Sequence, residues 1–257
     1  MQISSKIAVV TGGAGGIGEA AATKLAEAGA RVITWDWADG ADIKVDVRDE
    51  ASIDAALDAT IERAGVPEIV VISAGINARS PFEETSLVDF DNVVAVNLRG
   101  AYACMQAIVR EMKKARSGGS FVLLASLAGM LADPQTVPYS VSKAGLIHLA
   151  KLAAVELGQF GIRVNSVSPG PIYTKMTARN LDDPAYHERV RQTTPLGDYG
   201  TPEHVADAIL ALTSLDWVTG QNLAVDGGSS LVTPRGAHRA SLGTFHAGES
   251  YVDAPKP

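Results

Sequence analysis

Short apolar runs alternate along this chain with longer stretches in which apolar residues recur every three or four positions. The runs are Ile7–Val10, Arg31–Trp35, Lys44–Val47, Ile69–Ser73, Phe121–Ala125, Arg163–Val167 and Leu223–Val225. Most are continuous and rich in β-branched residues, the pattern of strands covered on both faces. The longer stretches predict helices near 17–28, 51–64, 86–114, 139–159 and 202–213. The last has a marked start, with Thr201 as N-cap, Pro202 in the first turn and Glu203 as a first-turn acid. Alternating strand and helix predicts an α/β fold, a doubly wound parallel sheet of about seven strands with helices on both faces. No repeat or linker divides the chain, so a single domain is expected over 1–228.

Two stretches depart from the alternation. Only Trp37–Asp42 separates the second strand from the third, too little for the dozen or more residues of an ordinary parallel crossover. A tight loop and a short third strand are therefore expected. The extension 229–257 has no clear periodicity, but Leu231, Val232, Phe245 and Tyr251 give it apolar anchors. It is expected to pack on a neighbouring subunit near that subunit's active site.

Composition narrows the partners. The net charge is −7 and no basic run occurs, which speaks against nucleic acid and against an anionic membrane surface. The one cysteine, Cys104, lies in an apolar helical pattern; alone it makes neither an internal disulfide nor a metal cluster, and no metal site is expected. No apolar run reaches the ~18 residues of a membrane span. The first strand begins within a few residues of Met1, leaving no room for a signal peptide, so a cytoplasmic protein is expected.

The chemistry concentrates in three places. Tyr139 and Lys143 are four apart on a predicted helix and share a face. A lysine ammonium beside a phenol favours the phenolate and moves its pKa toward neutral pH. Ser126, thirteen residues upstream of Tyr139, follows the Phe121–Ala125 run, where an open α/β sheet keeps its ligands. The turn Thr11-Gly12-Gly13-Ala14-Gly15-Gly16-Ile17-Gly18 lies between the first strand and the first helix. Its glycines allow backbone N–H groups to approach a pyrophosphate at the helix N-terminus. Asp36 ends the second strand, placed to accept hydrogen bonds from ribose hydroxyls and to repel a 2′-phosphate. The turn carries no Lys or Arg, and Trp37 rather than a base follows Asp36. Both features favour NAD over NADP.

Together these motifs resemble the short-chain dehydrogenase/reductase family, from about residue 4 to Gly228. The spacing Thr11-Gly12-x-x-x-Gly16-x-Gly18 is similar to the family's cofactor turn, and Tyr139-x-x-x-Lys143 with Ser126 to its catalytic signature. Asn97 falls where the family keeps a fourth catalytic group. Asp46-Val47 resembles its adenine contact and Pro169-Gly170-Pro171-Ile172-Tyr173-Thr174 its nicotinamide-side loop. Ile72-Ser73-Ala74-Gly75 stands where the family often has Asn-Asn-Ala-Gly, which puts local hydrogen bonding there in doubt.

The resemblance implies a Rossmann-type fold, hydride transfer between NAD and a carbonyl/alcohol pair, and a homotetramer packed through the helices near 86–114 and 139–159. It implies that Tyr139 is the acid/base, Ser126 orients the substrate oxygen, Lys143 supports the phenolate and the nicotinamide ribose, and Asn97 holds a water. Gly12, Gly16, Ile17, Gly18, Asp36, Asp46, Val47, Ala74, Gly75, Pro169, Ile172 and Thr174 then line the cofactor, with Tyr139 and Lys143 at its reactive end. Residues 174–200 are expected to form a mobile lid with Met176, Tyr186, Leu196 and four basic side chains, Arg179, His187, Arg189 and Arg191. Leu127, Ala128, Met130 and Leu131 suggest a partly apolar pocket, and Arg79 an anionic substrate group. The substrate is expected to be a secondary alcohol, polyol or cyclic diol. A 3-oxoacyl thioester and an idle, NAD-sensing role stand as alternatives.

Overall fold

The computed structural model of the protein describes residues 2–231. The expected packing of the tail on a neighbour therefore falls largely on residues outside those described. Seven parallel strands form one sheet in the order β3-β2-β1-β4-β5-β6-β7. They are β1 (Ile7–Thr11), β2 (Arg31–Asp36), β3 (Ile43–Lys44), β4 (Ile69–Ile72), β5 (Gly119–Leu124), β6 (Ile162–Pro169) and β7 (Asn222–Val225). The main helices are α1 (Gly16–Glu27), α2 (Glu50–Ala64), α3 (Leu87–Val94), α4 (Ala101–Ala115), α5 (Val137–Leu157), α6 (Ala178–Leu181), α7 (Pro184–Thr193) and α8 (Pro202–Ser214).

The continuous apolar strands divide their side chains between two cores with the period of two that a pleated strand imposes. Val9, Val70, Ile72, Phe121 and Leu123 face the core formed with α2, α4 and α5. Ala8, Val10, Ile69, Val71, Val122 and Leu124 face the core formed with α1 and α8. Both faces are covered, which is why the runs show no polar alternation. Trp35 is fully buried and its indole N–H donates to Thr60 Oγ1 at 3.0 Å.

The third strand is shorter than the run Lys44–Val47 predicts and begins one residue earlier. Just before the strand, the Asp42 carboxylate accepts from Thr34 N and Thr34 Oγ1, at 2.8 and 2.7 Å, which marks where the strand begins. No helix separates β2 from β3, as the spacing predicts. The helix expected over 86–114 runs without interruption from Leu87 to Ala115 but widens on the way. A π turn, Ala95–Gly100, joins α3 to α4. Gly100 permits the fold there, because a Cβ at that position would lie 2.8 Å from Val47 O. Helix α5 begins two residues before the expected start, with Pro138 in its first turn.

Candidate active site

The strand order reverses between β1 and β4, and a cleft of about 670 Å³ opens at the carboxyl ends of the strands there. This is the switch point at which open α/β sheets bind ligands.

One wall is the glycine turn. Gly12 has φ +70°, and a Cβ there would lie 2.7 Å from Ala74 N, so this glycine lets β1 and the end of β4 meet. A Cβ on Gly18 would lie 2.0 Å from Gly12 O. Those two glycines serve the protein's own packing. Gly15 and Gly16 serve the cleft. Nothing stands within 4 Å of a Cβ built on Gly15, and Gly16 has φ +57°. Both line the cleft at the start of α1, with Ile17 beside them. The first N–H groups of a helix lack intrahelical partners. A bare backbone with oriented donors fits a pyrophosphate.

Asp36 lies at the far end. Its carboxylate accepts from Ala14 N at 3.0 Å and from Ala38 N at 2.9 Å, so it also holds the glycine turn in place. Asp46, Val47 and Trp37 complete this end. Two groups here escaped sequence reasoning. Arg48 grips Asp46 in a forked pair, with Nε 2.9 Å from Oδ1 and Nη2 2.8 Å from Oδ2, and holds that carboxyl below the usual carboxylate range. It reaches on to Asn92 Oδ1 at 3.2 Å, tying the Asp46 loop to α3. Lys44 and Arg48 flank the exposed Trp37 ring, 5.8 and 6.0 Å from its centroid. The only signal for Arg48 was its place two residues beyond Asp46.

The departure at Ile72-Ser73-Ala74-Gly75 leaves no gap. Buried Thr11 turns its Oγ1 to accept from Ser73 N at 3.1 Å and Ala74 N at 3.2 Å. Gly75 allows a closer approach. A Cβ there would sit 3.3 Å from Asn97 Oδ1 and 3.5 Å from Lys143 Nζ.

Asn97 is fully buried in the π turn. Its Oδ1 accepts from Ile76 N at 2.8 Å; its Nδ2 donates to Ile76 O and to Ser142 Oγ, each at 3.0 Å. The side-chain amide is thus committed to protein partners. It fastens the loop after β4 to α5 one residue before Lys143. Single-turn π bulges of this kind are common at functional sites. Ser142 was hidden between Tyr139 and Lys143, where only the tertiary contact gives it a purpose.

Lys143 is 3% exposed and donates to Leu124 O at 2.6 Å. Burial pushes its ammonium down to about 8. Its Nζ is 5.5 Å from the centroid of the Tyr139 ring. Ser126 caps the short 3₁₀ turn Leu127–Gly129 by accepting from Ala128 N at 3.1 Å. The phenol of Tyr139 departs from expectation. Its pKa is raised, not lowered: burial is the largest cause, the Ser126 hydrogen bond opposes it, and the Asp133 carboxylate adds to the rise. In the protein without ligand, desolvation outweighs the Ser126 hydrogen bond.

Pro169, Ile172 and Thr174 lie on the facing wall. Thr177, missed in the sequence, organises them: its Oγ1 donates to Ile172 O at 2.6 Å and accepts from Thr174 N at 2.9 Å. The stretch 174–200 folds as α6 and α7. Its base is tied by Tyr173 N to Gly200 O at 2.9 Å and by Gly200 N to Pro171 O at 2.9 Å. Cys104 is buried in the core and burial pushes its thiol up to about 12. Among the described residues no helix is long and apolar enough to cross a membrane, and no group of three His, Cys, Asp or Glu side chains is arranged for a metal ion.

Comparison with known proteins agrees with this geometry. Residues 12–230 match the protein family described as enoyl-(acyl carrier protein) reductase. D-threitol dehydrogenase of Mycolicibacterium smegmatis is 35% identical over 248 residues, covering 90% of this chain and 95% of its own. Short-chain dehydrogenase reductase 3a of Arabidopsis thaliana is 34% identical over 253 residues, covering 91% and 98%. An Agrobacterium tumefaciens structure described as a 2-deoxy-D-gluconate 3-dehydrogenase, with NADP bound, superposes with a TM-score of 0.83 at 31% identity, covering 90% and 99%. The chain belongs to the short-chain dehydrogenase/reductase family, oxidoreductases that act on CH–OH groups with a nicotinamide cofactor.

Proposed function

We propose that the protein is an NAD-dependent dehydrogenase that interconverts a secondary alcohol, polyol or cyclic diol and its ketone, using Ser126, Tyr139, Lys143 and Asn97. One observation carries this reading: Ser126 at the end of β5 and Tyr139 and Lys143 on α5 line the same cleft as the bare Gly15–Gly16 backbone, with Asn97 buried behind them in the π turn. Bound in that cleft, the nicotinamide dinucleotide supplies the hydride acceptor or donor.

The chain's own residues handle position and proton. Tyr139 Oη, as phenolate, takes the hydroxyl proton of the alcohol; in the reverse direction the phenol returns it. Ser126 Oγ hydrogen-bonds the substrate oxygen. Lys143 places a desolvated cation beside the phenol, and Asn97 fixes that arrangement by fastening Ile76 to Ser142. Because the phenol's pKa is raised in the free protein, alcohol oxidation gains rate as pH rises. Gly12, Gly16, Ile17, Gly18, Ala74 and Gly75 shape the phosphate and ribose path. Asp46 and Val47 bound the adenine end, and Pro169, Ile172 and Thr174 the nicotinamide end.

Three features support NAD over NADP. Asp36 faces the ribose position, Arg48 is taken up by Asp46, and Lys44 is paired with Asp39 at 3.2 Å. Neither cation stands free to receive a 2′-phosphate. The segment 174–200 acts as the lid. The assembly is a homotetramer: Tyr102 on α4 and Leu152 and Val155 on α5 are exposed apolar side chains that a second copy would cover. A monomeric mass by light scattering would contradict this.

The test follows nicotinamide absorbance with NAD⁺ and NADP⁺ across secondary alcohols, polyols and cyclic diols. Turnover with NAD⁺ is expected, and Tyr139→Phe is expected to lose at least ~10²-fold, the usual scale of general acid–base catalysis. Retention of more than a tenth of the rate in that variant would overturn the assignment. Turnover confined to 3-oxoacyl thioesters would favour the second reading, which a 36% identical 3-oxoacyl-[acyl-carrier-protein] reductase of Thermotoga maritima supports.

A further inference from the structure

Two loops meet next to Tyr139: residues 76–81 and residues 131–136. Ser80 N donates to Gln135 O at 3.0 Å and joins them. The second loop is braced from within. Thr136 Oγ1 donates to Asp133 O at 2.8 Å and shares a 2.7 Å hydrogen bond with Ser140 Oγ, one residue from Tyr139. Gln135 holds φ +66°, a left-handed conformation that costs a non-glycine residue energy. Across the seam Arg79 Nη2 stands 3.9 Å from Asp133 Oδ1, with side chains 42% and 45% exposed. This is an ion pair too long to be a hydrogen bond. The guanidinium therefore keeps donors, and the carboxylate acceptors, open to a ligand. The pair is also near the chemistry: Ile76, three residues before Arg79, lines the cleft, and Thr136 ties the Asp133 loop to Ser140 beside Tyr139.

We propose that Arg79 and Asp133 form a substrate subsite that grips a second hydroxyl, adjacent to the reacting carbinol, of a neutral polyol. This rests on the dehydrogenase reading above and narrows its substrate class. Taken alone, Arg79 suggests an anionic substrate. The facing carboxylate reverses that expectation, because it offsets the guanidinium charge and repels an anion. A hydroxyl satisfies both partners at once, donating to Asp133 and accepting from Arg79. A mono-alcohol would leave both polar groups facing an apolar surface, and sites built to hydrogen-bond a hydroxyl reject analogues that lack it. Half exposure lets water soften the penalty, so the discrimination is expected to be about ten- to a hundredfold, far below the ~10⁴–10⁵ of a sealed site.

The test compares kcat/KM for a vicinal diol and for the mono-alcohol of the same carbon skeleton, using the full chain with NAD⁺. The wild type should prefer the diol. Asp133→Asn and Arg79→Met should each reduce that preference at least tenfold, mainly through KM for the diol. A second readout separates a subsite from mere loop support. The groups bearing on Tyr139 are Ser126 at the end of β5, Lys143 on α5 and Asp133 on the loop between them. Removing the Asp133 charge should move the rise of kcat/KM with pH to lower pH. Preference unchanged in both variants, equal losses on both substrates with an unmoved pH profile, or no turnover of any polyol would each overturn the subsite. Tyr139→Phe keeps the two readings apart. An inactive Tyr139→Phe with an unchanged preference in Asp133→Asn sinks only the subsite, whereas an active Tyr139→Phe sinks the catalytic reading beneath it.

Discussion

Lys143 offers a measurement in which activity plays no part. Its ammonium is 3% exposed and donates to the neutral Leu124 carbonyl. Burial holds its pKa at about 8, against 10.5 when solvated. A lysine pKa lowered by folding means that the charged form opposes the fold. The cost is present in full below about pH 8. It is relieved as pH rises from 8 toward 10.5, because the unfolded chain there binds more protons than the native one. Integrated between about pH 7 and about pH 10, the relief is about 2.5 kcal/mol, at ~1.4 kcal/mol for each tenfold change.

Two chains isolate this contribution: Tyr139→Phe, which silences the neighbouring phenol, and Tyr139→Phe with Lys143→Met. Urea unfolding of both at each pH, at one protein concentration, cancels every other titrating group. The advantage of the methionine chain over the lysine chain should shrink by about 2 kcal/mol as pH rises. In thermal unfolding the same change is about 5–10 °C for a chain of this size. Methionine loses the bond to Leu124 O, which shifts the comparison at both pH values without creating a slope. A stability difference that does not vary with pH would refute the claim that Lys143 is desolvated in the free protein. So would an advantage that grows with pH.

Two further expectations follow from the same geometry. Asn97→Leu leaves the N–H and C=O of Ile76 without their amide partner, at about 1–3 kcal/mol for each unsatisfied group; urea unfolding should show a loss of at least about 2 kcal/mol, and a loss below about 1 kcal/mol would show that the bridge from the π turn to Ile76 is dispensable. Gly16→Ala forces a Cβ onto φ +57°, about 1–2 kcal/mol of left-handed strain; NADH titration by fluorescence should show at least tenfold weaker binding, and unchanged affinity would remove Gly16 from the phosphate cradle.

Much of the architecture is local in origin and was readable in the chain. Strands buried on both faces leave continuous β-branched runs, and helices between them leave a period near four, so sheet and helices follow from pattern. The six residues Trp37–Asp42 are too few for a helix, and the structure has none there. The glycine turn and the spacing of Ser126, Tyr139 and Lys143 were legible for the same reason, since each depends on neighbours in sequence or on one turn of helix.

What escaped depends on groups far apart in the chain. The π turn at Ala95–Gly100 goes with the close approach of Gly100 to Val47 and with an amide that bridges Ile76 and Ser142, none of which leaves a periodic trace. The start of the third strand at Ile43 depends on Asp42 reaching Thr34. Arg79 read alone pointed to an anion; only folding sets Asp133 opposite it and turns a cation into a polar pair. The phenol of Tyr139 shows the same division. Helical spacing correctly places a lysine on its face, but a pKa is settled by the whole surroundings, and the desolvation that dominates here exists only once β5, α5 and the loops close around the ring.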